Sequence, residues 1–378
     1  MKKIVFLLLT ICLIFTSCHG DLDQVPTDPD LFTEIDVYKD AQSAKGALAK
    51  IYASLAVTGQ KGATGAPDID PSLIDEGFSQ YTRILYTLNH CSTDEAVVGW
   101  GDPGLPNIHE MSWDINNPWT QGMYFRLAQV VSFSNSFIEN AAELAKSDAE
   151  VAFFIAEARF IRSYAYLQLM DMYANVPLVT KVSTELPAQS NRTEIFNFIE
   201  TELVEISSLL PDSKANEYGR VDKVAAWSLL SRMYLNASVY IGTDKSSKVI
   251  EYAEKVISSS YSLNSSDANG NGTAYDELFL ADNNTNGSQN EFIFVVQFDG
   301  LNSQSWGGST FIVHAPIGGT MNPADFGVNG GWGGLRTTKS LVEKFAYSIT
   351  ASDSDGNPTA WSDPRAMFHT DCLLYTSP

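Results

Sequence analysis

The chain has 378 residues, with 24 basic and 45 acidic side chains and a formal net charge of −21. This length is ample for a large core, and 44% hydrophobic with 11% aromatic residues is a globular composition. The charge excludes a nucleic-acid protein held by a basic surface and disfavours electrostatic seating on anionic lipid. Charged residues make up only 18%, below the usual proportion of about a quarter. Asn, Ser, Thr, Gly and aromatics fill the difference, a balance suited to an extracellular surface that handles neutral polar ligands.

Residues 1–17 read as a targeting segment. Lys2-Lys3 is followed by an apolar run of twelve residues, Ile4 to Phe15, too short for the roughly 20 residues a spanning helix needs. Phe15-Thr16-Ser17-Cys18 resembles a bacterial lipobox, which would make Cys18 the acylated first residue of the mature chain. The alternative is a plain secretory signal with an incidental cysteine. Residues 18–33, acidic and proline-containing, then form a lipid-attached tether. Cys12 leaves with the signal and Cys18 carries lipid, so only Cys91 and Cys372 remain. No disulfide and no cysteine metal site is expected.

From Glu34 to Leu55, apolar residues recur at three or four and predict a helix. Trp119 to Ala145 repeats the pattern, with Met123, Leu127, Val130, Phe137 and Ala141 on one face. Val151 to Tyr173 is apolar nearly all round, as in a helix buried between other helices. Asn191-Arg192-Thr193-Glu194 resembles a capping box opening an amphipathic helix that Pro211 ends. Val224–Tyr240 and Ser246–Ser259 predict a further helix pair. Trp227, Leu230, Ser231 and Tyr234 have the spacing that opens a tetratricopeptide (TPR) repeat, with Ile250 and Ala253 on the partner helix. After Ser260 the chain turns to Asn/Gly/Ser loops, one β-type run from Phe292 to Phe298, and glycine-rich stretches around Trp306 and Trp332.

Several blocks occur in a familiar order. They are the lipobox with Asp21-Leu22-Asp23-Gln24-Val25-Pro26, Glu157 to Tyr166 continuing through Asn175-Val176-Pro177-Leu178-Val179, and Gly219-Arg220-Val221 with Leu229 to Leu235. Glu291 to Phe294, Leu335 to Lys339 and Asp363-Pro364-Arg365 complete the set. The chain resembles the SusD/RagB-like outer-membrane glycan-binding lipoproteins of Bacteroidetes. The resemblance implies a mainly α fold of TPR-like helical pairs at 34–260, packed with a loop-rich portion at 261–371 that has a few short strands. It also implies a surface lipoprotein that captures oligosaccharide and acts as a lid on a SusC-like TonB-dependent transporter. Members of the family continue well past the Asp-Pro-Arg block, whereas this chain stops thirteen residues after Arg365. Residues 372–378 resemble translated adapter sequence, so the expectation is a fragment whose C-terminal region is incomplete.

Glycans offer apolar C–H faces and many hydroxyls, which are matched by exposed aromatic planes flanked by polar side chains. Trp306, Trp332 and Trp100, each beside glycine in a loop, are the candidate glycan-binding residues; the alternative is that each plugs the helical body. Glycine neighbours suggest an uncovered indole on a freely shaped loop. Trp113 and Trp119 are expected in the core, and Trp227 at a repeat packing position. Asp267, Asn269 and Asn271 resemble the first half of an EF-hand calcium loop. Leu278 stands at the twelfth position, with Glu277 one residue early, so a polar loop is favoured, calcium is the weaker option and no other cofactor is expected. Asp94-Glu95 and Asp276-Glu277 are adjacent carboxylates without an established catalytic spacing, and the histidines show no paired metal spacing. The readings in competition are a non-catalytic glycan-binding lipoprotein, a surface-anchored glycoside hydrolase and a TPR scaffold for protein partners.

Overall fold

A computed structural model of the protein describes residues 33–59 and 67–369. The signal segment, Cys18, most of the tether and residues 372–378 lie outside the described residues. The helical body comprises α1 (Glu34–Val37), α2 (Ala41–Ala53), α3 (Tyr81–His90), α4 (Leu105–His109), α5 (Pro118–Ala141), α6 (Ala149–Tyr173), α7 (Arg192–Ile206), α8 (Lys223–Leu235), α9 (Ala237–Ile241) and α10 (Ser246–Ile257). Beyond it come α11 (Gly308–His314) and α12 (Lys339–Glu343). Three two-stranded antiparallel ladders pair β1 (Ala96–Val98) with β4 (Leu335–Thr337), β2 (Val176–Pro177) with β3 (Gln189–Ser190), and β5 (Ile349–Ser352) with β6 (Pro358–Trp361). The fold is mainly α, as expected.

Each long helix starts where its chemistry dictates. Asn117 caps α5 through its side-chain oxygen, with Pro118 following, and Asp148 caps α6. The Asn191–Glu194 capping box of α7 is complete in both directions. The predicted Glu34–Leu55 helix is instead two, because the Asp40 side chain accepts the Ser43 N–H at 2.7 Å and restarts the helix as α2. The predicted Val224–Tyr240 helix likewise breaks at Asn236 between α8 and α9.

α6 is the centre. It packs against α2, α5 and α7, α8 packs against α7, and α10 packs against α8, giving successive helix pairs. Its buried face includes Phe154, Phe160, Ile161, Tyr166 and Met170, while Phe153 is exposed. Charges are buried here as pairs. Arg220 Nη2 and Nε donate to Glu157 at 2.5 and 3.1 Å, and Tyr52 Oη donates to the same carboxylate at 2.5 Å. Glu202 receives Arg159 and Arg162 at 2.8 and 2.7 Å.

Three expectations are corrected. Ile250 does not meet α8: it is 59% exposed, and α10 turns Val249 and Tyr252 inward instead. Trp113, expected in the core, is 45% exposed because it stands in the turn before α5, whereas Trp119 in the first turn of that helix is buried. The Phe292–Phe298 run forms no strand. Among the described residues no strand pairs with it, and it lies along α6, with Phe294 edge-on to Phe160 and Tyr164 at 5.4 and 5.6 Å.

Candidate binding site

The three candidate tryptophans come from loops more than two hundred residues apart at the extremes, yet they converge. The β1–β4 ladder does part of this. Val98 pairs with Leu335, and the Gly99 N–H donates to Gly334 O at 3.0 Å, so Trp100 and Trp332 emerge side by side. Their ring centroids are 6.2 Å apart. The loop before β4 is zipped onto the end of α11: Trp332 N–H donates to His314 O at 2.8 Å, Gly333 to Ile317 O at 2.9 Å and Gly334 to Ala315 O at 2.8 Å. Trp306 lies 5.9 Å from Trp332.

Two side chains at the start of α3 seat the Trp306 loop. Gln80, fully buried, donates from Nε2 to Leu55 O and Ala56 O, while its Oε1 accepts the Gly308 N–H at 3.0 Å. Arg83 Nη1 donates to Gly77 O at 3.0 Å and to Trp306 O at 3.1 Å. Its guanidinium also lies over the rings of Trp100 and Phe311 at 5.4 and 5.1 Å. Arg83 is only 8% exposed. Burial lowers its pKa from the ordinary value, with Asp102 and Asp75 opposing that effect.

A cleft of about 560 Å³ opens here, walled by the 71–78 loop, Arg83, Asp102, Pro103, Pro118, Trp306 and Trp332. Trp306 is 39% exposed and Trp332 half-buried. Trp100 is not among the walls; it adjoins them through Trp332. Phe78 and Pro103 of the wall are braced from behind, since Phe78 stacks on Trp119 at 4.4 Å and Trp119 Nε1 donates to Pro103 O at 3.1 Å. The arrangement therefore offers aromatic faces, one buried cation and two carboxylates to a polar ligand. Asp75 Oδ1 already accepts the Gly77 and Phe78 N–H groups at 2.7 and 3.2 Å, capping the turn that shapes the wall.

Elsewhere, Asp267 accepts the Asn271 and Gly272 N–H groups, and the Asn269 and Asn271 amides both donate to Asp276 Oδ2 at 2.9 and 2.6 Å. The oxygens nearest an EF-hand pattern are thus engaged by the loop itself. Cys91 is free and buried, and burial pushes its thiol up to about 12.

The three tryptophans singled out in the sequence lie together, two of them in the cleft wall, whereas Asp75, Gln80, Arg83 and Asp102 were not singled out. A signal for α3 existed in Tyr81, Ile84, Leu85 and Leu88 at helical spacing, but its cap is Gln80, which is not one of the usual capping residues.

A family profile described as SusD-like, starch-binding and associating with the outer membrane matches residues 86–235. The starch-binding protein SusD of Bacteroides thetaiotaomicron is 35% identical over 336 residues, covering 88% of this chain and 57% of that protein. The chain belongs to the SusD-like family. It spans little more than half the length of that relative. Among solved structures, a SusD superfamily protein from Parabacteroides distasonis is similar with a TM-score of 0.63 at 21% identity, covering 83% of this chain and 62% of its own. Another, from Bacteroides vulgatus, has a TM-score of 0.60 at 19% identity, covering 90% and 64%. These likenesses establish the SusD-like helical fold.

Proposed function

We propose that the protein is a surface lipoprotein that holds an oligosaccharide in the cleft walled by Trp306 and Trp332 and passes it to a SusC-like TonB-dependent outer-membrane transporter. The observation that carries the reading is the convergence of these two loop indoles on one cleft with Arg83, Asp75 and Asp102. Indole faces match the C–H faces of sugar rings, and the charged groups match their hydroxyls. The relative at 35% identity is named for starch binding, so an α-glucan is the first ligand to test. Cys18 supplies the anchor and the family's outer-membrane association supplies the place. Among the described residues no helix is long and apolar enough to cross a membrane. The function needs no cofactor and no chemistry. Binding is favoured over hydrolysis because the relative at 35% identity is named for binding starch.

Calorimetric titration with maltoheptaose tests the site. Trp306→Ala and Trp332→Ala are each expected to weaken binding about thirtyfold, the loss of one hot spot of roughly 2 kcal/mol. Trp306→Ala should leave the melting temperature nearly unchanged, because its ring is the more exposed. New reducing ends in the same incubation would favour the hydrolase instead. For the anchor, Cys18→Ala should move the protein out of the membrane fraction or leave its signal uncleaved; unchanged partition refutes lipidation.

A further inference from the structure

Trp332 makes contacts beyond the cleft that it walls. The His314 imidazole stacks on its indole with centroids 5.2 Å apart and planes 29° from parallel. His314 is not among the residues walling the cleft, so it acts on the platform through Trp332. His314 Nδ1 sits 3.0 Å from Thr310 O. A carbonyl only accepts, so Nδ1 carries the proton and Nε2 is the nitrogen that takes a second one. The His314 carbonyl also holds the Trp332 N–H. One residue thus fixes both the backbone and the ring of the central platform.

Resting on the reading of the cleft as a glycan site, we propose that His314 is the positioning residue of that platform, setting the plane of Trp332 and weakening its grip on sugar when protonated. A sugar C–H is drawn to the negative face of an indole, and a cation stacked on the same ring competes for that electron density. Asp325 is the one titratable residue between His314 and Trp332 in the chain. α11, residues 315–322 and residues 327–334 contribute no further titratable side chain. Arg336, on β4, donates to Pro316 O and Leu335 O. On α3, Arg83 lies over Phe311, Tyr86 meets Phe311 edge-on at 5.8 Å, and His90 pairs with Glu95 at 2.9 Å.

The test is calorimetry with maltoheptaose at about pH 8 and about pH 5. The wild type should bind about threefold more weakly at the acid end, the size of a modest cation–π term. His314→Phe keeps a flat ring without a titrating nitrogen, so its ratio between the two pH values should stay near one while His90 is intact. His314→Ala should weaken binding at both pH values, and His314→Phe should recover part of that loss. A wild type and a His314→Phe variant with the same pH response, where Trp332→Ala weakens binding as expected, would overturn the role of His314 and leave the cleft standing. Maltoheptaose binding that is absent, or indifferent to Trp332→Ala, would overturn the cleft reading and this proposal with it.

Discussion

At Gly334 a Cβ would stand 2.0 Å from the Trp100 ring, at Gly331 it would meet Ile317 O at 2.1 Å, and at Gly307 it would strike Gln80 Oε1 at 2.0 Å. These glycines therefore serve close approach of backbone to backbone and to ring. The sequence suggested loops free to adapt; the packing describes loops that are already shaped, which lowers the ordering cost of binding. Gly334→Ala is thus a probe of preorganisation that removes no ligand contact. The added methyl must displace Trp100 or the end of the β1–β4 ladder, a strain of about 1–3 kcal/mol. Maltoheptaose affinity should fall roughly tenfold while helical content holds. A Gly334→Ala variant with wild-type affinity would mean the platform tolerates movement and is not preorganised.

The helices illustrate what periodicity conveys and where it stops. The faces of α5 and α7 are legible because four or five apolar residues agree on one direction. α10 offers two competing stripes, Val249–Tyr252–Val256 and Ile250–Ile257, and isoleucine at helical spacing is the stronger apolar signal. The first stripe is the inner one because α8 presents Tyr234, which meets Tyr252 at 5.7 Å; no local pattern carries that information. Tyr252 is 6% exposed. Tyr252→Ala should cost about 3 kcal/mol through lost burial and a cavity, and Ile250→Ala should stay within about 0.5 kcal/mol as a surface change. Urea unfolding of the two variants checks the assignment, and equal losses would contradict it. The Phe292–Phe298 run fails as a strand for a related reason: its β-type composition reflects aromatic packing on α6, not a ladder partner. The site divides the same way. Tryptophan beside glycine is visible in one sequence window, whereas Gln80 and Arg83 act on residues 306–308 across a separation that no window spans.

Across the whole molecule, the blocks that carry the family resemblance are joined as buried ion pairs. Glu157 and Arg220 bring two of them together between α6 and the turn before α8. Arg159 and Arg162, from the first block, clasp Glu202 of α7, and Arg162 continues to Asn135 of α5 at 2.8 Å. Such pairs add little net stability when formed, but removing one member leaves a buried charge uncompensated. For Glu202, burial by itself would raise the carboxyl pKa. The hydrogen bonds from Arg159 and Arg162 outweigh burial and hold it below the ordinary 4.5. A carboxyl depressed in the folded state stabilises the fold above its unfolded pKa, and that stabilisation drains away as pH falls through the folded value. Glu202→Gln should therefore cost about 3 kcal/mol near neutrality, where Arg162 loses its counter-charge and Arg159 keeps only Glu205, at 2.5 Å. The gap should narrow as pH drops below about 4.5, because the wild type then surrenders the same interaction by protonation. The other acidic residues titrate in both proteins, so the difference between the two unfolding curves isolates Glu202. Denaturant titrations at several pH values from neutral to acid give that difference directly. A gap that stays constant with pH would show that the loss comes from packing alone and that the arginine clasp does not hold the Glu202 charge.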